Sequence, residues 1–201
     1  MKLKLKITNA LVLICALALG SLVMASGGPS SQQRVASPKG SVREKAMLAS
    51  FDKQVKDYVK QRNRVKKKLP ALSKDATPEQ IQAYQKSFVD GLIAARAGTK
   101  PGYIMNLEVA EYIRTLVKTE FKGTERAEVR KEILEAETKG VPLKVNNPYP
   151  ETKEITQMPP TLLLKLPQLP KEVRYRFVRQ HLMLVDTDND LIIDYMLNAM
   201  P

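Results

Sequence analysis

Three aspartates at alternate positions near the end of the chain have the spacing of a calcium-binding loop. Asp186, Asp188 and Asp190 match positions 1, 3 and 5 of an EF-hand or dockerin-type loop, which supply carboxylate oxygens. The remainder of that pattern is missing, because Leu191 stands where glycine is needed and Leu197 where a bidentate glutamate is needed. Asp and Asn are also typical of tight turns. The sequence therefore predicts the turn of a β-hairpin here, with no metal and no cofactor.

Two other patterns that could support chemistry are better explained by structural roles. Ser50 and Lys53 match the S-x-x-K spacing of penicillin-recognising serine enzymes, but the companion S-D-N and K-T-G motifs are absent. His181 is the only histidine, so a site with several histidine ligands cannot form within one chain. We expect a solvated or edge-strand role for this histidine. We therefore expect no catalytic residue and predict that the protein is not an enzyme.

The strongest charge pattern is a basic run with two interpretations. Its members are Lys60, Arg62, Arg64, Lys66, Lys67 and Lys68. Cations near the end of a helix complement its dipole, which is a sufficient structural explanation. The functional interpretation is a patch that contacts a polyanion or a membrane surface. No aromatic residue interleaves the run and no glycine-rich phosphate loop accompanies it, so we expect no nucleic-acid partner.

Hydrophobic periodicity places this run at the end of a long helix. Apolar residues at three- and four-residue spacings predict an amphipathic helix from Ser41 to Leu69, with Arg62 at the one position where the apolar stripe is interrupted. Thr77 as N-cap, with Pro78 and Gln80, begins a second helix that ends near Gly98. Its predicted buried face is Ile81, Tyr84, Phe88, Leu92 and Ala95. The short connection favours an antiparallel helical hairpin.

Two more helices complete a helical region over residues 41–140. The third is predicted to begin near Asn106 or Leu107 and to end at Gly123, and Thr124 is predicted to cap a weaker fourth that runs to about Gly140.

The remainder of the chain has a different pattern. Seven of the 13 prolines fall within residues 141–171, which predicts an irregular strap with one helical turn at Thr161–Leu166. We expect the strap to lie across the helices and to bury its leucines: Leu162, Leu163, Leu164 and Leu166. Residues 172–201 alternate with a period of two, which predicts a three-stranded antiparallel meander packed on the helices. The predicted fold class is α+β.

The N-terminus is typical of an exported protein. Residues 1–25 combine three lysines with an apolar stretch and a small-residue cleavage site, which predicts a signal peptide, and residues 26–40 resemble a disordered tether. The only cysteine, Cys15, lies in the signal peptide, so the mature chain contains no disulfide. Because the signal peptide contains no acidic residue, its removal lowers the formal net charge from +12 to +9. We expect a basic periplasmic or extracellular bacterial protein without a transmembrane span after cleavage.

The C-terminal region resembles the ending of a group of exported bacterial proteins that have no assigned activity. The matching pieces are Tyr175-Arg176-Phe177-Val178, Asp186, Leu191-Ile192-Ile193-Asp194 and Asn198-Ala199-Met200-Pro201. A more distant likeness, over Tyr175 to Tyr195, is to the final hairpin of periplasmic nickel and cobalt homeostasis proteins. The first resemblance implies export and a terminal β unit but no catalytic residues, and metal handling does not carry over from the second.

Three functions are compatible with these patterns. The first is a non-enzymatic envelope protein that binds another macromolecule or has a structural role, with the basic helix or the meander edge as its contact. The second is electrostatic binding of an envelope polyanion or membrane surface through Lys60–Lys68. The third is an enzyme with an unrecognised carboxylate site.

Overall fold

Helices and strands form two successive blocks in the part of the chain that the structure describes. The computed structural model describes residues 39–123, 126–150, 152–154 and 158–200. Its elements are α1 Lys39–Lys68, α2 Pro78–Ala95, α3 Leu107–Glu120, α4 Ala127–Glu135, α5 Pro160–Leu163, β1 Val173–Val178, β2 His181–Asp186 and β3 Ile192–Met196. The predicted α+β class is confirmed. The predicted signal peptide, the tether up to residue 38 and Thr124 lie outside the described residues.

The first two helices form the predicted antiparallel hairpin. The Thr77 side chain accepts a hydrogen bond from the Gln80 N–H while the Gln80 side chain accepts one from the Thr77 N–H, so the predicted capping box begins α2. Gln61 of α1 donates to the carbonyl of Ala95 at 2.5 Å, and Lys66, farther along α1, lies over the ring of Phe88, nearer the start of α2. These contacts run in opposite directions along the two helices.

The predicted buried face of α2 is wrong at its two ends. Phe88 and Leu92 are buried, whereas Ile81 and Ala95 are exposed. Only the second half of α2 packs into the protein, because Phe88 and Leu92 form a small apolar cluster with Leu191 of the sheet region.

Helix α3 begins and ends close to the predicted positions, whereas α4 ends earlier than predicted. Asn106 caps α3 by accepting a hydrogen bond from the Val109 N–H at 3.1 Å. The helix ends at Glu120, and Gly123 follows with a positive φ of 104°. Helix α4 ends at Glu135, which is earlier than the predicted end near Gly140.

The strands form the predicted meander. The sheet order is β1-β2-β3, with antiparallel pairing throughout. Val178 pairs with His181 across the two-residue turn Arg179-Gln180, and the second turn spans residues 187–190. The second turn falls where the sequence predicts it.

The two faces of the sheet contact different parts of the chain. The face packed against α1 and α3 in the main core includes Val173, Tyr175 and Phe177. The opposite face, which carries Met183 and Val185, is covered by Val141 and Tyr149 from the first part of the strap. The strap therefore lies on the sheet in its first half, and its second half packs against α3 through α5.

Both edges of the sheet have neighbours. On the β3 side, the Asn146 N–H donates to the Ile192 carbonyl at 2.8 Å, and the Ile192 N–H donates to the Asn147 carbonyl at 2.9 Å. On the β1 side, the Val173 N–H donates to the Pro170 carbonyl at 3.0 Å, and α4 lies against the strand. The strap thus occupies hydrogen-bonding groups at the β3 edge that a partner strand would need.

The expected burial of all four strap leucines is only half right. Leu162 and Leu166 are buried, while Leu163 and Leu164 are exposed. The helical segment α5 is a single turn, and one turn can present only one side to α3.

Replacing Leu162 with alanine tests this assignment. Leu162 is 0% exposed and Leu164 is 79% exposed, although the two lie two residues apart. We expect Leu162→Ala to lower the free energy of unfolding by about 2–5 kcal/mol. Leu164→Ala, the matched control, should change it by less than about 0.5 kcal/mol. Urea denaturation followed by circular dichroism measures both, and equal effects would contradict the described packing.

Candidate functional site

The Asp186–Asp190 segment is the predicted hairpin turn between β2 and β3. The Asp186 N–H donates to the Leu191 carbonyl at 2.9 Å, and the Asp190 N–H donates to the Asp186 carbonyl at 3.1 Å. The Asp186 carboxylate also accepts from the Asp188 N–H at 2.9 Å, and the Asn189 side chain accepts from the Leu191 N–H at 3.0 Å. These local side-chain bonds are the reason that Asp and Asn favour turns.

The carboxylates of this turn face α1. Asp186 is 0% exposed, and its Oδ2 accepts from the Tyr58 hydroxyl at 2.6 Å and from Arg62 Nε at 2.7 Å. Arg62 is itself only 3% exposed, and its Nη2 also pairs with Asp188. Lys66, one turn farther along α1, lies 3.3 Å from the same Asp188 oxygen. The interruption in the apolar stripe of α1 is therefore an internal ion-pair network.

The third aspartate of the turn pairs within the sheet. Asp190 accepts from Arg174 and, at 3.3 Å, from Arg176, whose guanidinium lies 4.4 Å from the centre of the Tyr149 ring. The three turn carboxylates thus face four basic side chains, and a divalent cation added among them would meet strong repulsion. Within the described residues no group of three or more Asp, Glu, His or Cys side chains is placed to hold a metal ion.

Ionisation in the network follows from its burial and its charges. Burial raises the pKa of Tyr58 far above its usual range, and the charge of Asp186 adds to this effect, so Tyr58 remains a hydrogen-bond donor. Partial burial opposes ionisation of Asp188, but Arg62 and Lys66 outweigh it and lower the pKa of Asp188.

A second buried carboxylate anchors the loop between α2 and α3. Asp194 of β3 is 0% exposed and accepts from the backbone N–H groups of Gly102, Ile104 and Met105 at 2.7, 2.7 and 2.9 Å. Burial raises the pKa of Asp194, although these hydrogen bonds act in the opposite direction. This aspartate has a positioning role that the sequence pattern did not reveal.

The predicted anion-contact patch is divided by the fold. Arg62 turns inward and is not part of the surface. The other five basic residues are exposed: Lys60, Arg64, Lys66, Lys67 and Lys68. Lys60 lies 3.3 Å from Asp57 and Lys66 lies 3.3 Å from Asp188, whereas Arg64, Lys67 and Lys68 have no acidic partner among the described residues.

Arg96 lies directly after α2 and is a functional candidate that sequence reasoning missed. It is 4% exposed, its Nε donates to the Asn146 side chain at 2.8 Å, and its Nη2 donates to the Ile193 carbonyl at 2.7 Å. The guanidinium stacks on Tyr58 at 4.9 Å from the ring centre. Both hydrogen-bond acceptors are neutral, and burial lowers the pKa of Arg96. Arg96 also lines a cleft of about 270 Å³ together with Lys60 and Arg64.

The remaining sequence candidates occupy structural positions. Ser50 is exposed on α1, and Lys53 is paired with Asp57 at 2.9 Å. His181 begins β2 beside the turn, and its Nδ1 accepts from the Asn198 N–H at 3.1 Å. Neither pattern places a nucleophile next to a base.

Comparison with known proteins gives one distant structural likeness. No family model matches the chain, and no curated protein matches it. A solved structure, the C-terminal domain of inner membrane protein CigR from Salmonella enterica, covers 51% of this chain and 93% of that chain, at 18% identity and a TM-score of 0.37. A likeness this distant says nothing about activity or partners. No helix within the described residues has the length and apolar character needed to cross a membrane.

Removal of the Arg62 charge tests the internal network. In an Arg62→Met variant the Asp186 carboxylate stays buried without a cation, so we expect the free energy of unfolding to fall by about 3–5 kcal/mol. Arg64→Met, two residues away on the exposed face, should change it by less than about 0.5 kcal/mol. Urea denaturation compares the two variants. A cost for Arg62→Met no larger than that for Arg64→Met would show that the network does not hold α1 on the turn.

The lowered pKa of Asp188 predicts an acid-dependent contribution to stability. A carboxyl group with a folded-state pKa below its unfolded value stabilises the fold above the unfolded value, near pH 4, and loses this effect as the pH falls through the folded value. We therefore expect Asp188→Asn to destabilise the protein at pH 7 and to cost less at pH 3. Thermal unfolding of both proteins from pH 3 to pH 7 measures the difference. A difference that grows towards low pH would contradict the assigned ion pairs.

Proposed function

We propose that this protein is a non-enzymatic binding protein of the bacterial cell envelope, and that it binds an anionic polymer through the exposed basic end of α1. The proposal rests on one observation: Arg64, Lys67 and Lys68 project from the end of α1 without acidic partners among the described residues. Lys60 and Lys66 border them with only long ion pairs. A cluster of uncompensated cations attracts polyanions and releases their counterions on binding.

The helix dipole alone does not account for this surface. Lys66, Lys67 and Lys68 lie in the last turn of α1, where they complement the dipole. Arg64 lies about one turn and Lys60 about two turns before Lys68, where the dipole effect has faded. Arg62, which lies between them in the sequence, is buried. The helix therefore places its one structural cation on the inner side and the other cations on the outer side.

A protein partner that adds a strand to the meander has less support. The strap already occupies the β3 edge, and α4 lies against β1. The exposed cations at the end of α1, Arg64, Lys67 and Lys68, are therefore the better candidate for the contact.

Binding to inorganic polyphosphate tests the proposal. We expect the affinity to fall as salt rises, with a slope of log K against log salt of about −0.7 for each contact made to a flexible polyanion. Lys67→Gln/Lys68→Gln should weaken binding and reduce the magnitude of this slope by about 1 to 2. Isothermal titration calorimetry at salt concentrations from about 20 to about 200 mM measures the affinity and its salt dependence for both proteins.

A matched variant separates the patch from net charge. Lys118→Gln/Lys122→Gln removes the same charge from exposed positions at and just after the end of α3. This variant should retain the wild-type slope, and an equal loss in both variants would contradict a localised site.

Sedimentation with phosphatidylglycerol and with phosphatidylcholine vesicles tests whether the ligand is a membrane surface. Binding to the anionic vesicles without binding to polyphosphate would identify a membrane surface as the ligand and contradict the polymer proposal.

A further inference from the structure

The cleft beside the basic end of α1 is lined by a buried arginine, Arg96. Arg96 is almost completely buried at the floor of this cleft, and no carboxylate among the described residues forms an ion pair with it. Asp194 acts on Arg96 electrostatically, but its oxygens accept backbone N–H groups of the loop that begins at Gly102. Burying an arginine without a counter-ion is unfavourable, so a functional anion would remove a cost that the fold carries.

The Arg96 guanidinium still has a nitrogen that can donate hydrogen bonds to a ligand. Its Nε and Nη2 donate to Asn146 and to the Ile193 carbonyl, and Nη1 has no hydrogen-bond acceptor among the described residues. The two committed nitrogens and the Tyr58 ring fix the plane of the guanidinium, so a bound anion would not have to order it.

Two further cations lie on the wall of the same cleft. Lys60 and Arg64 are separated by four residues and therefore lie on one side of α1. The only acidic side chain in the lining, Asp57, is bound by Lys60 at 3.3 Å and by Lys53 from the preceding turn at 2.9 Å. Its charge is thereby offset, and the lining keeps an excess of positive charge.

We infer that this cleft is a subsite for a phosphate group, with Arg96 at its floor and Lys60 and Arg64 at its wall. The inference rests on the proposed function, because it assigns the anionic group of the polymer and the place where that group binds. A phosphate group carries several acceptor oxygens and can receive hydrogen bonds from three separate cations, whereas a carboxylate has two oxygens in one plane. The cleft volume of about 270 Å³ holds one such group with part of its ester substituent.

Titration with inorganic phosphate, followed by ¹⁵N NMR of the purified protein, tests the subsite. The Arg96 Nε–H is held by Asn146 and the Arg62 Nε–H by Asp186, so each provides a resolved reporter. We expect a saturable shift of the Arg96 signal and a constant Arg62 signal. Lys60→Gln/Arg64→Gln should weaken phosphate binding at least tenfold, whereas Lys67→Gln/Lys68→Gln, outside the cleft, should weaken it less than twofold.

Three results would overturn the subsite. These are equal shifts of both arginine signals, wild-type phosphate affinity in the Lys60→Gln/Arg64→Gln variant, and acetate binding as tight as that of phosphate. Failure of the subsite is distinguishable from failure of the proposed function, because polyphosphate binding that depends on Lys67 and Lys68 would persist without the subsite. Loss of polyphosphate binding together with retained phosphate binding would instead contradict the proposed polymer ligand.

Discussion

The ion pair between Arg62 and Asp186 joins the two blocks of the fold. Both side chains are buried, and 124 residues separate them along the chain. A buried pair of this kind contributes little net stability compared with apolar packing, but it is costly to break, because either partner alone leaves an unpaired charge in the interior. The ion pair therefore fixes which side of α1 faces the sheet and how the β2–β3 turn is oriented. The positions of Lys60 and Arg64 on the outer side of α1 follow from this orientation of the helix.

The sequence carried enough local information to predict most element boundaries. The capping box at Thr77 and the cap at Asn106 begin helices because their side chains satisfy N–H groups that the helix leaves unpaired. Alternation of apolar residues over 173–186 predicts two strands and their turn, because successive strand residues point to opposite faces. The strap was harder to predict, since prolines remove the period that would indicate which of its leucines, such as Leu162 and Leu164, turn inward.

The candidate site could be predicted only in part. The basic run at the end of α1 is plain in the sequence, but the prediction counted Arg62 as part of the exposed patch, whereas it is buried and needs an acidic partner. The identity of that partner depends on tertiary structure. Arg96 gave no such indication, because a basic residue just after a helix is ordinarily a solvated complement to the helix dipole. Its burial arises from Asn146, Ile193 and Tyr58, which come from three distant parts of the chain.

The core includes Ala199 and Met200, and the Met200 N–H donates to the Gln180 carbonyl at 3.0 Å. A ribosome that makes this polypeptide therefore releases α1 and α3 long before the residues that cover their apolar faces exist. Completion of the core therefore waits until Ala199 and Met200 have been synthesised, because these contacts join residues far apart in the sequence. Until then the apolar stripes of the helices lack their covering residues and can be bound by chaperones. An unfolded nascent chain is also the form in which a polypeptide can be threaded through a narrow secretion pore.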